Sequence, residues 1–172
     1  IEINMVNGSS YRFYIRKNKG AEAGVEAMAR INVRRIKEFN MALDTDAPYE
    51  VFKKNIERNK LDLLAFIKKA CTGGKKVFVY GASTKGNVLL QYLGITEKMV
   101  PYAADRNPRK WGTKTLGSNI PIISEEDARA MKPHYFLVLP YHFISEMLPR
   151  EEAFIKRGGR FIVPVPTVKI VP

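Results

Sequence analysis

Six consecutive residues, Gly81-Ala82-Ser83-Thr84-Lys85-Gly86, carry the most chemistry in this chain. Two glycines bracket two hydroxyls and an ammonium. Gly81 and Gly86 would let backbone N–H groups approach an anion closely, while Ser83, Thr84 and Lys85 add donors and positive charge. A β-branched and aromatic run, Val77-Phe78-Val79-Tyr80, precedes them, and an apolar helical pattern at Val88, Leu89, Tyr92 and Leu93 follows. Strand, glycine turn and helix N-terminus together are how an α/β domain presents unpaired amides to a phosphate. The expected ligand is a phosphorylated small molecule.

The spacing argues against two familiar phosphate loops. A dinucleotide fold wants Gly-x-Gly-x-x-Gly, but position 83 is serine and Lys85 would crowd a pyrophosphate. A nucleoside-triphosphatase loop wants its lysine after the second glycine, and here Lys85 precedes Gly86. Further along, Asp105 stands where a dinucleotide fold places the acid that binds a ribose hydroxyl; the other reading is a turn or helix cap. His142 lies between Tyr141 and Phe143 at a strand end and either faces the crevice or does not. His134 follows Pro133 at a strand start and reads as a surface residue. Trp111 would stack on a base or cover the sheet edge, and covering is favoured. No nucleophile, base and acid converge on His142, so hydrolysis is not expected.

The elements that must position these residues follow from periodicity. Residues 1–17 read as a hairpin: Ile1, Ile3 and Met5 alternate, Asn7-Gly8 turns, and Tyr11, Phe13 and Ile15 alternate again. Residues 18–25, with Gly20 and Gly24, read as a linker. A helical region runs to about Leu43, carrying Met28, Ile31, Ile36 and Phe39. Pro48 suits the first turn of a longer helix, with Phe52, Ile56, Leu63, Ile67 and Ala70 on one stripe and Gly73-Gly74 at its end. Strands are then expected at 77–80, 99–104, 120–123, 135–139 and 160–163. Helices are expected at 86–93, after the capping Ser124, and at 143–157. This alternation gives the fold class: α/β, a Rossmann-like three-layer domain over 75–172 with a mostly parallel five-stranded sheet. The loops after the first, second and fourth strands would converge at the carboxyl edge.

Bulk properties narrow the partners. A chain of 172 residues, 45% apolar and 27% charged, suits one well-buried domain with an appendage. Net charge is +12, which reads as a solvated basic surface, as a nucleic-acid or phosphorylated partner, or as the complement of an acidic portion of a parent protein. The basic residues fall in scattered pairs such as Arg34-Arg35 and Lys75-Lys76. They lack a zinc-finger, helix-turn-helix or aromatic RNA signature, so a nucleic-acid partner ranks below a phosphorylated ligand. No run is apolar enough to span a bilayer, and no signal-peptide pattern opens the chain. The one cysteine, Cys71, allows neither an internal disulfide nor a multi-cysteine zinc site and fits a reducing cytoplasm. Beginning at Ile1 without methionine, the chain reads as a fragment.

Four ordered stretches resemble the C-terminal domain of sugar-nucleotide C-methyltransferases, enzymes that use S-adenosylmethionine to methylate a ring carbon of dTDP-deoxysugars. Tyr80-Gly81-Ala82-Ser83-Thr84-Lys85-Gly86-Asn87 is similar to that family's Tyr-Gly-Ala-x-x-Lys-Gly-Asn loop. Asp105-Arg106-Asn107-Pro108, with Lys110, Gly112, Gly117 and Ile120-Pro121-Ile122, resembles its second stretch. Leu139-Pro140-Tyr141-His142-Phe143 is similar to its Leu-Pro-Trp-Asn/His-Phe, with Tyr141 replacing tryptophan. Gly158-Gly159-Arg160-Phe161-Ile162-Val163-Pro164 resembles its closing strand, and 7–12 its preceding hairpin.

The resemblance implies acceptor binding by Gly81, Ala82, Ser83, Thr84, Lys85, Gly86, Asn87, Asp105, Asn107, Lys110, Tyr141 and His142. The Gly81–Gly86 amides and Lys85 would take the diphosphate, Asp105 or Asn107 the ribose, and His142 a place near the sugar. It also implies an upstream domain that binds S-adenosylmethionine and carries the catalytic residues. This chain alone is then expected to bind a nucleoside diphosphate sugar and not to methylate it. The rival reading is a non-catalytic nucleotide-binding or protein-interaction module, with a basic RNA-binding domain third.

Overall fold

The computed structural model describes residues 1–15, 17 and 24–172. Most of the expected linker, 18–25, lies outside the described residues. The chain divides into two compact units, Ile1–Ile56 and Glu57–Pro172. In the first, β1 (Glu2–Asn4) pairs antiparallel with β2 (Ser10–Arg12) across a 3-10 turn at Val6–Gly8. The expected alternation through Ile15 thus stops pairing at Arg12. α1 (Val25–Asn40) buries none of its residues, and α2 (Ala47–Thr72) opens with Pro48 in its first turn. The unit boundary falls inside α2, not at the Gly73-Gly74 pair.

The second unit is a six-stranded sheet. Its strands are β3 (Val77–Tyr80), β4 (Ala103–Asp105), β5 (Ile122–Ser124), β6 (Tyr135–Val138), β7 (Arg160–Val163) and β8 (Lys169–Val171), in the order β5-β4-β3-β6-β7-β8. The first five run parallel, as expected, while β8 pairs antiparallel with β7 through Phe161↔Val171 and was not anticipated. Two strands begin later than the sequence pattern predicts. Pro101 and Pro121 stand in the expected starts of β4 and β5, and proline cannot donate to a ladder. The helix expected over 143–157 is broken. A 3-10 turn at Tyr141–Phe143 leads into α5 (Ile144–Met147), and a second, Leu148–Glu151, carries Pro149 before α6 (Glu152–Lys156). Proline removes the helical hydrogen bond and clashes with the preceding turn.

Side chains alternate between two cores, as a pleated strand requires. Val77 and Val79 face an aliphatic layer with Leu63, Ile67 and Ala70 of α2 and Leu90 and Leu93 of α3 (Thr84–Leu93). Phe78 and Tyr80 face an aromatic layer with Phe136, Phe161 and Phe154, where the Tyr80 and Phe136 rings meet edge-on at 5.1 Å. α4 (Glu125–Ala130) contributes Ala128 to this second layer. Ser124 caps α4 as expected, accepting from the Asp127 N–H at 2.9 Å. With helices on both faces, the strand order reverses direction between β3 and β6, the switch point where such sheets bind ligands.

Candidate functional site at the switch point of the sheet

β3 ends at Tyr80, and Gly81 turns the chain with φ +83, a conformation that favours glycine. A Cβ there would also stand 2.7 Å from the Pro140 ring. A Cβ on Gly86 would fall 2.6 Å from Leu139 Cβ. Both glycines are therefore required by packing against the β6 end, a reason independent of any phosphate. The Ser83 hydroxyl accepts from the Gly86 N–H at 3.1 Å and caps α3. Thr84 and Lys85 occupy the exposed first turn, and their amides have no acceptor among the described residues. Those two N–H groups lie at the positive end of the α3 dipole.

Asp105 ties this loop to the next one. Its carboxylate accepts from the Ala82 N–H at 2.9 Å, the Asn107 N–H at 2.8 Å and the Lys110 ammonium at 2.9 Å. Lys110 donates as well to the Ala82 carbonyl at 2.8 Å. Three of the four lone-pair positions of a buried carboxylate are thereby filled, leaving one on Oδ1. Asn107 caps the turn at Pro108–Lys110 by accepting from the Arg109 N–H at 3.1 Å, and its Nδ2 has no acceptor among the described residues. The Trp111 indole N–H donates to the Asp105 carbonyl at 2.7 Å, which holds the ring at the end of β4. Asn87 sits one turn into α3, its Oδ1 buried without a hydrogen-bond partner among the described residues.

The third loop carries Tyr141 and His142. The His142 ring lies 4.3 Å from Phe143 and 5.5 Å from Tyr141, half-buried and without a hydrogen bond among the described residues. His134 is at the opposite end of the sheet, where Nδ1 accepts from the Lys76 N–H at 3.0 Å. Burial and the nearby Lys75 and Lys76 lower its pKa.

A cleft of 250 Å³ opens beyond these strand ends. Gly81 and Asp105, two of the expected site residues, line it, and so do Arg106, Glu125, Phe143 and Arg150, which sequence reasoning did not name as site residues. Arg106 adjoins Asp105 and could have been found on that ground. Glu125 registers in the sequence only as an acid in the first turn of a helix. Behind the cleft, Glu151 is 1% exposed and accepts from the Tyr80 hydroxyl at 2.8 Å and from Arg129 at 2.6 Å. Burial first, then the Glu151 carboxylate, push the Tyr80 phenol well above its usual range. Arg129 also approaches Glu125 at 3.6 Å, and Glu125 accepts from Arg150 at 2.9 Å.

Sheet order and converging loops define a Rossmann-like α/β domain with a crevice at its switch point. The chain belongs to the C-methyltransferase C-terminal domain family, whose model matches residues 5–166. It is similar to C-methyltransferase NovU of Streptomyces niveus, 34% identical over 123 residues, or 72% of this chain. The chain spans 29% of that relative's length. No helix among the described residues is long and apolar enough to cross a membrane.

Proposed function

We propose that this chain is the acceptor-binding domain of an S-adenosylmethionine-dependent C-methyltransferase, holding a nucleoside diphosphate deoxysugar for methylation at a ring carbon. The observation that carries this reading is the pair of unpartnered amides at Thr84 and Lys85, at the switch point of a C-methyltransferase-family fold. A diphosphate would be hydrogen-bonded by those amides and neutralised by the Lys85 ammonium. The ribose falls to Asn107, whose amide N–H₂ is open, more readily than to Asp105, whose carboxylate organises the two loops. His142, beside β6, would stand over the sugar.

S-adenosylmethionine supplies an electrophilic methyl group when bound to the enzyme. The residues here do not fit its adenosine: the acid a ribose would use is occupied by Ala82, Asn107 and Lys110. The donor site and the base that deprotonates the sugar are assigned to a portion of the enzyme outside this chain. This domain's contribution is to fix the acceptor relative to that donor, which removes much of the entropic barrier of a two-substrate reaction.

Calorimetric titration of the 172-residue chain with a nucleoside diphosphate deoxysugar tests the reading. Lys85→Ala should weaken binding by about 1–3 kcal/mol, the range for a charged hydrogen bond. Unchanged affinity would remove Lys85, and the phosphate loop with it, from the site.

A further inference from the structure

Acceptor binding uses Lys85 and Lys110 and leaves most of the +12 net charge without a role. Parallel strands place the connections from helix to strand at the amino edge of the sheet. Those at 73–76, 94–102, 131–134 and 157–159 carry Lys75, Lys76, Lys98, Lys132 and Arg157, and Glu97 is their one carboxylate. Lys68 and Lys69 near the end of α2, and Arg160 at the start of β7, widen the same field. All these cations are exposed, and none forms an ion pair among the described residues. At the carboxyl edge, by contrast, Lys110 pairs with Asp105 and Arg150 with Glu125. Burial, then Lys75 and Lys76, lower the pKa of His134, which shares the amino edge with them.

A hollow of 390 Å³ opens among the first three of these connections. Cys71, Met99, Pro101, Tyr102 and Met131 wall it, Lys75 and Lys76 also line it, and no carboxylate does among the described residues. A small anion would use two of the lysines and leave the others idle. Ammonium groups on exposed, flexible stems also hold no fixed ligand geometry. Single-stranded nucleic acid would need open aromatic faces, but Phe78 is 2% exposed and Tyr102 packs edge-on against it at 5.3 Å. An apolar centre inside a rim of one charge is instead the layout of a protein interface, where a pocket takes an anchor and the rim steers approach.

We propose that the amino edge of the sheet is a docking surface for an acidic segment of a separate protein, which seats one large apolar side chain in the hollow. The unpaired cations set the sign of the partner, and the apolar walls set the kind of anchor. In the acceptor-binding reading the carboxyl edge faces the methyl donor, so the amino edge, at the other end of the strands, faces away from it. The choice of a separate chain over the donor-binding portion rests on that reading; the charged edge and its hollow do not.

The probe is a fluorescein-labelled synthetic peptide with one central phenylalanine flanked by glutamates, titrated into the full chain and read by anisotropy. Replacing its glutamates by glutamine, or its phenylalanine by alanine, should each weaken binding about tenfold or more. Lys75→Glu combined with Lys98→Glu should do the same. Lys53→Glu combined with Lys54→Glu, an equal charge change at exposed positions of α2, should cost less than about threefold. All four lysines are exposed, and circular dichroism should show both double variants folded. Cys71 is the one cysteine and lines the hollow, so saturating peptide should slow its alkylation by iodoacetamide. Undetectable binding, equal effects of the two lysine pairs, or an unchanged alkylation rate would overturn the docking surface. Oligouridylate that binds more tightly than the peptide and depends on Lys75 and Lys98 would overturn it in favour of nucleic acid. Titrating the Lys75→Glu, Lys98→Glu variant with the nucleoside diphosphate deoxysugar keeps the two readings apart. Retained affinity leaves acceptor binding standing whatever the peptide does.

Discussion

The two edges of the six-stranded sheet differ in what they do with their polar groups. At the amino edge they are closed. The Lys76 carbonyl accepts from the His134 N–H at 2.9 Å, the Lys76 N–H donates to His134 Nδ1 at 3.0 Å, the Lys76 ammonium donates to the Met131 carbonyl at 3.1 Å, and the Arg160 N–H reaches the His134 carbonyl at 3.0 Å. At the carboxyl edge the Thr84 and Lys85 amides and the Asn107 amide are open. The amino edge has the larger hollow, 390 Å³ against 250 Å³, lined by Cys71, Lys75, Tyr102 and Met131 among others. Its thiol donates weakly to the Met99 carbonyl, and burial raises the thiol's pKa, away from the reactive thiolate. Volume therefore does not distinguish a site here. What distinguishes it is polar groups that the fold positions and then leaves without partners.

The sharpest way to break this comparison is through the charge buried at the carboxyl edge. Glu151→Ala would leave the Tyr80 hydroxyl without its acceptor and Arg129 without its shortest ion pair. Removing one partner of a fully buried pair costs about 3–5 kcal/mol; with the Arg129 side chain 34% exposed, about 2–3 kcal/mol is expected from urea denaturation. The neighbouring Glu152, whose carboxylate pairs with Lys156 on the surface, provides the contrast. Glu152→Ala should cost under about 0.5 kcal/mol. Equal effects at both positions would mean that the buried network does not support the cleft.

A smaller effect separates the two explanations for the glycines. Gly86→Ala places a methyl 2.6 Å from Leu139 Cβ, an atom that no rotamer change can move. Overpacking of this kind costs about 1–3 kcal/mol, offset by up to about 1 kcal/mol of better helix propensity. A net loss of about 1–2 kcal/mol in chemical denaturation is expected, with or without ligand. A fully stable Gly86→Ala variant that had lost only ligand affinity would restore the phosphate explanation for this glycine.

How far the sequence displayed all this depends on how local each signal is. Ser83 and Ser124 cap the helices that follow them through an N–H three residues on, and Val77–Tyr80 ends at a glycine, so β3, α3 and α4 were legible. β8 was not, because its reason to exist is pairing with β7 and the prolines around 164–166 mask it. Pro101, Pro121 and Pro149 were visible, and their effect on strand starts and on the helix past 143 follows from proline's missing N–H. At the site, residue types in the loop were readable but their partners were not. Asp105 looks like a ribose acid until Ala82, Asn107 and Lys110 converge on it. Glu151 sits in the run Arg150-Glu151-Glu152, and nothing local marks which acid turns inward; its partner Tyr80 is 71 residues away.

The mildest test addresses the closed edge through its histidine. His134 accepts from the Lys76 N–H through Nδ1, which requires that nitrogen to be unprotonated. Burial, Lys75 and Lys76 all disfavour the imidazolium, so the folded pKa lies below the unfolded value of about 6.5. As pH falls through 6.5 the unfolded chain takes up a proton that the folded chain refuses, so the unfolded state binds more protons in this window. Stability from this group is complete above about pH 6.5, declines as pH falls toward the folded pKa, and changes no further below it. His134→Asn offers an amide oxygen near the Nδ1 position but does not titrate. The fall in urea midpoint between pH 7.5 and pH 5.5 should be smaller in His134→Asn than in the parent chain. His142 is present in both proteins and cancels from the difference. Identical pH slopes would show that the amino edge does not depend on a neutral His134, and that its polar groups are less tightly closed than the hydrogen bonds imply.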